Sequence, residues 1–312
     1  MRTFLVTGGA GFIGSHIAEA LVQRGDRVRV LDNLSTGNLA NLAAFRDHIE
    51  LIEGDIVDAA TVDRAVKGVD CVFHEAALAS VQWSIDRPLE SHAACCTGTV
   101  HVLDAARRLG VRRVVFAASA AAYGDQPLSC KRETDTVDPL SPYAAAKLAS
   151  EHYCHAFSAA FKLDTVALRY FNVFGPRQDP ASPYSAVIPL FITAMLSGRQ
   201  PVVFGDGRQS RDFVYVANVV QANLLAADAP GVAGRTFNVA EGRATDLLKL
   251  IELFNRLLGI NVQPLHEPAR VGDVRESLAD ITQARKCLGY EPAVDFEEGL
   301  RRSIDYYRSI VK

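Results

Sequence analysis

The 312-residue chain has one tryptophan, six cysteines and almost no excess of either charge, and each shortage removes a class of function. Lys and Arg number 33 against 36 Asp and Glu, for a formal charge of −3, and the cations are scattered. No basic stripe is present to follow a phosphate backbone, so nucleic acid is not an expected partner. No apolar run approaches the ~20 residues that cross a bilayer, so no membrane partner is expected either. The chain enters a strand pattern after its first residues, which leaves no room for a signal peptide. Cys71, Cys95, Cys96, Cys130, Cys154 and Cys287 show no metal-ligand spacing, and most sit in apolar or helical runs. That is the pattern of reduced thiols used as small apolar residues, with no disulfide framework and no metal. The expected setting is cytoplasmic.

What is present is apolar and regularly spaced. With 49% hydrophobic residues the chain can bury a sizeable core. Apolar runs at 3–7, 27–32, 49–53, 69–74 and 112–118 alternate with helical patterns near 12–24, 59–67, 89–109 and 143–161, and a strand follows at 164–170. This rhythm predicts an α/β fold, a doubly wound parallel sheet with ligands at the carboxyl ends of its strands. After Phe174-Gly175-Pro176 the rhythm breaks, and Pro180, Pro183 and Pro189 interrupt a looser segment. Short strands at 213–216 and 236–239 and helices near 245–258 and 296–310 complete the chain. With no low-complexity linker, the two parts are expected to be intertwined. Residues 1–172, with about 212–240 returning, would form a nucleotide-binding domain, and 173–211 with 241–312 a smaller C-terminal lobe.

Gly8-Gly9-Ala10-Gly11-Phe12-Ile13-Gly14 follows the apolar run Phe4-Leu5-Val6, and Asp32 closes the next apolar run. Glycines here let the backbone turn sharply from strand to helix and let the helix N-terminus approach a pyrophosphate. The Asp32 carboxylate would accept from adenosine ribose hydroxyls and repel a 2′-phosphate, which selects NAD over NADP. Tyr143 and Lys147 stand four apart after Pro142, a first-turn residue, and so share one helix face. Bringing a phenol from its reference value of ~10 down to ~7 takes about 4 kcal/mol. One ammonium ~4 Å away supplies about that at an effective dielectric near 20. On this reasoning Tyr143 is a usable base. Ser119 ends the strand 114–118 and could bond the same substrate oxygen.

The glycine loop, Asp32, Asp55-Ile56, Ser119 before Tyr123-Gly124, and Tyr143-x-x-x-Lys147 together resemble the extended short-chain dehydrogenase/reductase family, over nearly the whole chain. Arg169-Tyr170-Phe171-Asn172-Val173-Phe174-Gly175-Pro176-Arg177-Gln178, Ser210-Arg211-Asp212-Phe213 and Arg270-Val271-Gly272-Asp273 are similar to its nucleotide-sugar 4-epimerase branch. The resemblance implies a Rossmann fold, bound NAD and a UDP-sugar substrate. It places Gly8, Gly11, Phe12, Ile13 and Gly14 at the pyrophosphate, Asp32 and Asn33 at the adenosine ribose, and Asp55 with Ile56 at the adenine edge. Ala76, Ala77 and Ala79 would line the path to the nicotinamide, with Lys147 also on its ribose. Arg211 and Arg270 would clamp the substrate diphosphate, a role suited to guanidinium forks. Asn172 fits a sugar-phosphate contact, Val202 and Phe204 a wall under uracil, and Ala186 and Val187 the sugar pocket. In this family the helices near 89–109 and 143–161 often build a dimer, so a homodimer is expected.

Departures from the family's pattern carry information. Ala120-Ala121-Ala122 follows Ser119 where the related dehydratases and decarboxylases have an acid, which favours return of hydride over elimination. Alanines there also offer no hydroxyls to a uronate. Ala117-Ala118 replaces the usual serines, and Cys95 replaces an asparagine that braces the helix. Ser277 stands where epimerases restricted to plain hexoses carry a bulky tyrosine, leaving room for a 2-acetamido group. The resemblance therefore implies a UDP-GlcNAc/UDP-GalNAc 4-epimerase acting through a transient 4-keto sugar, with UDP-glucose/UDP-galactose as a second substrate. UDP-glucose or UDP-glucuronate epimerase, a dehydratase or net oxidoreductase, and a non-catalytic dinucleotide sensor are the alternatives. Trp83 lies beside the expected sugar site.

Overall fold

The strands Thr3–Thr7, Cys71–His74 and Arg113–Ser119 are buried almost without interruption, as strands covered on both faces must be. The computed structural model describes residues 1–126, 130–180, 186–269 and 275–310. β1 (Thr3–Thr7) leads into helix α1 (Phe12–Gln23), and β2 (Arg27–Asp32) and β3 (Ile49–Glu53) follow with a 3-10 segment between them. Helix α2 (Ala59–Val66) starts at Asp58, whose carboxylate accepts from the amides of Ala60 and Thr61. β4 (Cys71–His74) is followed by the short helices α3 (Val81–Asp86) and α4 (Pro88–His92), a π turn at Ala93–Thr97, and α5 (Gly98–Arg108). The helix predicted near 89–109 runs through α4, the π turn and α5 with right-handed helical backbone at His92, Ala93, Thr97 and Gly98. β5 (Arg113–Ser119) and α6 (Pro142–Phe161) come next, with Ser141 capping α6 through a 3.2 Å bond from the Ala144 amide.

β6 (Asp164–Tyr170) and β7 (Asn172–Phe174) open the second half. There the proline-rich reading underestimated order: α7 (Val187–Leu196) forms with Pro189 in its first turn, where the missing amide is harmless. β8 (Val202–Phe204), β9 (Ser210–Tyr215), α8 (Val216–Asp228) and β10 (Arg235–Val239) follow, then β11 (Ala244–Asp246) and α9 (Leu247–Leu258). β12 (Leu265–Glu267), β13 (Glu276–Ser277), α10 (Thr282–Leu288) and α11 (Phe296–Ile310) end the chain.

Seven strands form one sheet in the order β10-β6-β5-β4-β1-β2-β3, all pairs parallel. Helices α1 and α8 pack on one face and α2, α5 and α6 on the other. The alternation of strand and helix therefore gives the predicted α/β doubly wound sheet. β10 comes from far along the sequence and closes the sheet edge beside β6. A second core, built around Phe174, Phe191, Phe213, Phe254, Leu300 and Tyr307, gathers β7, β9, α7, α9 and α11. β9 is the organiser of this part, pairing with β7, β11 and β13.

Candidate active site

Backbone shape builds one wall of the site. Gly8 has φ +67, and a Cβ there would lie 2.7 Å from the Ala76 backbone. At Gly14 a Cβ would lie 2.3 Å from the Gly8 carbonyl oxygen. Glycine is therefore required at both positions, and the loop closes tightly against the strand end after β4. Gly11 caps α1 without a side-chain hydrogen bond, which leaves the first-turn amides of Phe12 and Ile13 for whatever binds at that helix end. This cradle, free of side chains and facing a helix N-terminus, fits a pyrophosphate.

Asp32 is buried and uses both oxygens internally: it accepts from the Ala10 amide at 2.9 Å and the Leu34 amide at 2.8 Å. The carboxylate thus fixes the glycine loop as well as standing at the predicted ribose position. Asn33 donates to Asp55 at 2.9 Å, joining the ribose and adenine positions, and Ile56 packs against Gly98. A residue sequence reasoning missed, His74, locks this region. Thr99 donates to the Cys95 carbonyl at 2.6 Å, so it accepts from His74 Nε2 at 2.9 Å. Nδ1 then accepts from Thr7 at 2.7 Å. Burial pushes His74 down to about 3, so the imidazole is a neutral strut between β1, β4 and α5. An isolated histidine in an apolar strand gave no sign of this.

The opposite wall carries the reactive groups. Ser119 ends β5, accepts from the Ala121 amide at 3.1 Å and interacts with the Tyr143 phenol. Tyr143 and Lys147 share one face of α6, as their spacing predicts. Ala77 and Cys95 pack with Tyr143 in a small cluster, while Ala79 is exposed. Lys147 is buried and donates to the Ala117 carbonyl at 2.7 Å, above the Phe116 ring. Burial, reinforced by nearby negative charge, raises the Tyr143 phenol above its ordinary value. Burial lowers Lys147. Desolvation is the largest influence on the phenol, and its hydrogen bond with Ser119 works the other way. The neighbours the sequence reading overlooked are Glu75 and Tyr170. Glu75 Oε1 accepts from the Tyr170 hydroxyl at 2.9 Å, and burial pushes Glu75 up to about 7. An acid directly after the apolar run ending at His74 was the available signal.

On the side of the second core, Arg211 and Ser277 are directly paired between β9 and β13. Arg211 donates to the Ser210 carbonyl at 2.9 Å. The adjacent Asp212 is buried and accepts from the amides of Glu241, Gly242 and Ala279, tying β9 to its neighbours. Asn172 opens β7 and is exposed, as is Val202 on β8, whereas Phe204 is half-buried. Ala186 is exposed just before α7 and Val187 begins that helix. Arg270 lies outside the described residues.

Residues 4–240 match the NAD dependent epimerase/dehydratase family. The UDP-glucose 4-epimerase of Mycolicibacterium smegmatis is 39% identical over 313 residues, covering 99% of each chain. Among solved structures, a UDP-N-acetylglucosamine 4-epimerase from Methanobrevibacter ruminantium, in complex with UDP-N-acetylmuramic acid, superposes with a TM-score of 0.95 at 40% identity, covering 99% of each chain. The UDP-glucose 4-epimerase of Thermus thermophilus, in complex with NAD, gives 0.91 at 36% identity, covering 99% of this chain and 100% of that one. With its glycine cradle, its Tyr143/Lys147 face and these relatives along its whole length, the chain belongs to the NAD-dependent epimerase/dehydratase family, an extended short-chain dehydrogenase/reductase of the nucleotide-sugar 4-epimerase branch.

Proposed function

We propose that this chain is a UDP-sugar 4-epimerase, an isomerase, and that its main substrates are UDP-GlcNAc and UDP-GalNAc. The observation that carries the reading is the convergence of Ser119, Tyr143 and Lys147 beside the Gly8 cradle, at the carboxyl ends of β1, β4 and β5. NAD, when bound, supplies the acceptor and later the donor of the hydride at sugar carbon 4. Gly8, Gly11, Phe12, Ile13 and Gly14 would hold its pyrophosphate, with Asp32, Asn33, Asp55, Ile56, Ala76, Ala77 and Ala79 along its length. Tyr143 would take the proton of the 4-hydroxyl and give it back to the same oxygen once the keto sugar has presented its other face to the hydride, and Ser119 would steady that oxygen. Lys147 orients the neighbouring ribose. Arg211, with Arg270, holds the diphosphate while the sugar turns, and Asn172, Val202 and Phe204 seat the rest of the nucleotide.

Substrate choice rests on size. The relatives in M. smegmatis and M. ruminantium differ in their sugar at nearly equal identity, so overall likeness does not choose. Ser277, held opposite Arg211, is small, as is Ala186, and both favour a 2-acetamido group. Elimination is disfavoured because Ala120–Ala122 supply no acid. We propose the division into 1–172 with about 212–240, and 173–211 with 241–312, although Ala284 and Leu288 of α10 join the first core and Phe213 and Tyr215 of β9 the second. We also propose a homodimer, supported by Val81, Ile85 and Leu89, exposed at 46%, 55% and 84% on the short helices against α6. Among the described residues no helix is long and apolar enough to cross a membrane. The six cysteines are all free, which suits a reducing cytoplasm.

The deciding measurement is proton NMR of the purified protein with UDP-GlcNAc and with UDP-glucose, no NAD being added. Galacto product from UDP-GlcNAc is the expected result. Turnover of UDP-glucose alone overturns the substrate assignment, and near wild-type turnover by a folded Tyr143→Phe variant overturns the mechanism.

A further inference from the structure

Among the described residues three other than glycine hold a positive φ, and one of them, Arg177 at +67, lies where the chain leaves β7 for the second lobe. Glycine would sit there without strain, so what an arginine adds at this position comes from its side chain. Its guanidinium donates to Glu19 at 2.7 Å and to the Ser15 hydroxyl at 3.4 Å, and lies 5.9 Å from the centre of the Phe45 ring. Ser15 and Glu19 stand one turn apart on α1, and Phe45 belongs to the 3-10 segment between β2 and β3. All three partners therefore lie in the nucleotide-binding part. The same segment is gripped at two more points. His16 of α1 donates from Nε2 to the Pro176 carbonyl at 3.0 Å, and the Tyr307 hydroxyl of α11 donates to the Gln178 carbonyl at 2.5 Å. Phe12 and Ile13, at the start of α1, pack against the second core. β7, just before the segment, pairs with β9 so that Asn172 meets Phe213, two residues beyond Arg211.

We propose, resting on the epimerase reading above, that Arg177 is a positioning residue, a latch that fixes the second lobe against the side of α1 and so sets the distance between the dinucleotide cradle and the Arg211 diphosphate site. A substrate held through its diphosphate by one lobe must place its sugar against a cofactor held by the other, so the spacing of the two sites has to be set in advance. The Arg177–Glu19 pair is well suited to this: its side chains are only 16% and 26% exposed, so salt screens it less than a surface pair. A lobe released from the latch would be aligned for only part of the time, and its apparent affinity for a diphosphate nucleotide falls by that fraction. The cofactor's proposed contacts all lie in the first lobe, and its retention should not depend on the latch.

The test is the affinity of the purified holoprotein for UDP, by titration calorimetry, with bound NAD measured on the same samples. Arg177→Gly suits the backbone and removes the guanidinium, whereas Glu19→Gln removes the partner's charge from the other lobe. Each is expected to weaken UDP binding about tenfold at unchanged NAD content. The double variant should bind within about twofold of the weaker single, since both changes break the same pair. Wild-type affinity in either folded single variant overturns the latch. A parallel loss of NAD overturns it too, since that would trace the effect to general loss of structure, and so does a double variant in which the two losses multiply. Should Arg177→Gly fail to fold, Glu19→Gln decides by the same criteria. Wild-type protein that binds no UDP overturns the epimerase reading along with this one, whereas variants that match a UDP-binding wild type overturn the latch alone.

Discussion

Glu151 and Arg169 form the most exposed test of how the catalytic helix is held. Glu151 lies one turn beyond Lys147 on α6, and Arg169 is the residue before Tyr170 on β6. Both are buried, at 1% and 4% exposure, and the guanidinium makes two bonds to the carboxylate, at 2.9 and 2.7 Å. Replacing Glu151 with Ala leaves Arg169 charged, buried and facing a gap, over the Tyr123 ring at 4.7 Å. Removing one partner of such a pair costs about 3–5 kcal/mol. In a chain of this size each kcal/mol moves the melting temperature by roughly 2 °C, so a fall of about 6–10 °C is expected. The assay is thermal unfolding followed by circular dichroism, with urea unfolding as a check. The double variant Glu151→Leu/Arg169→Met, which removes both charges and keeps apolar volume, should recover most of the loss. A Glu151→Ala protein that melts with wild type, or a double variant no better than the single, would refute the reasoning.

Gly14→Ala sets a methyl group 2.3 Å from the Gly8 carbonyl oxygen, so the cradle must open. Purified protein should then carry less than about a tenth of the wild-type NAD, as read by chromatography of the released nucleotide; tenfold corresponds to only 1.4 kcal/mol. Phe254→Ala, at a fully buried position in the second core, should cost about 3–5 kcal/mol in urea unfolding, and a loss under 1 kcal/mol would contradict the packing described. Burial raises the Asp212 carboxyl to about 7 and Glu75 to about 7. An acid whose folded value is raised favours the folded state while it stays protonated, and that contribution fades as pH climbs from the unfolded value through about 7. The melting temperature should therefore fall between pH 5.5 and pH 8, and Asp212→Ala should flatten the fall while lowering stability throughout.

The legible parts of this protein were those governed by short-range rules. Gly8 and Gly14 have to be glycine because the turn needs a positive φ at Gly8 and a methyl-free approach at Gly14, and both demands are local. The strands of the first half follow from apolar runs, and the shared face of Tyr143 and Lys147 follows from helical spacing alone. Ser141 and Pro142 mark the start of α6 in the residues themselves. The second half was harder to read because its elements are short and their apolar faces meet partners far along the chain. The helix α7, the three-residue β7 and the two-residue β13 have too little internal pattern to be seen without those partners.

Charge balance at the site was decided by the fold alone. The sequence put an ammonium near a phenol and implied a lowered phenol. Tertiary packing turned the ammonium toward the Ala117 carbonyl, buried the phenol and raised its proton affinity. It also joined Glu75, after β4, to Tyr170 of β6 across the end of β5, and paired Ser277 with Arg211 from 66 positions earlier in the chain. Spacing along a helix or strand fixes which residue types can share a face, because backbone geometry is local. Desolvation and the distances between charges depend on what strands and helices from the rest of the chain pack around them, and so only the assembled structure sets them.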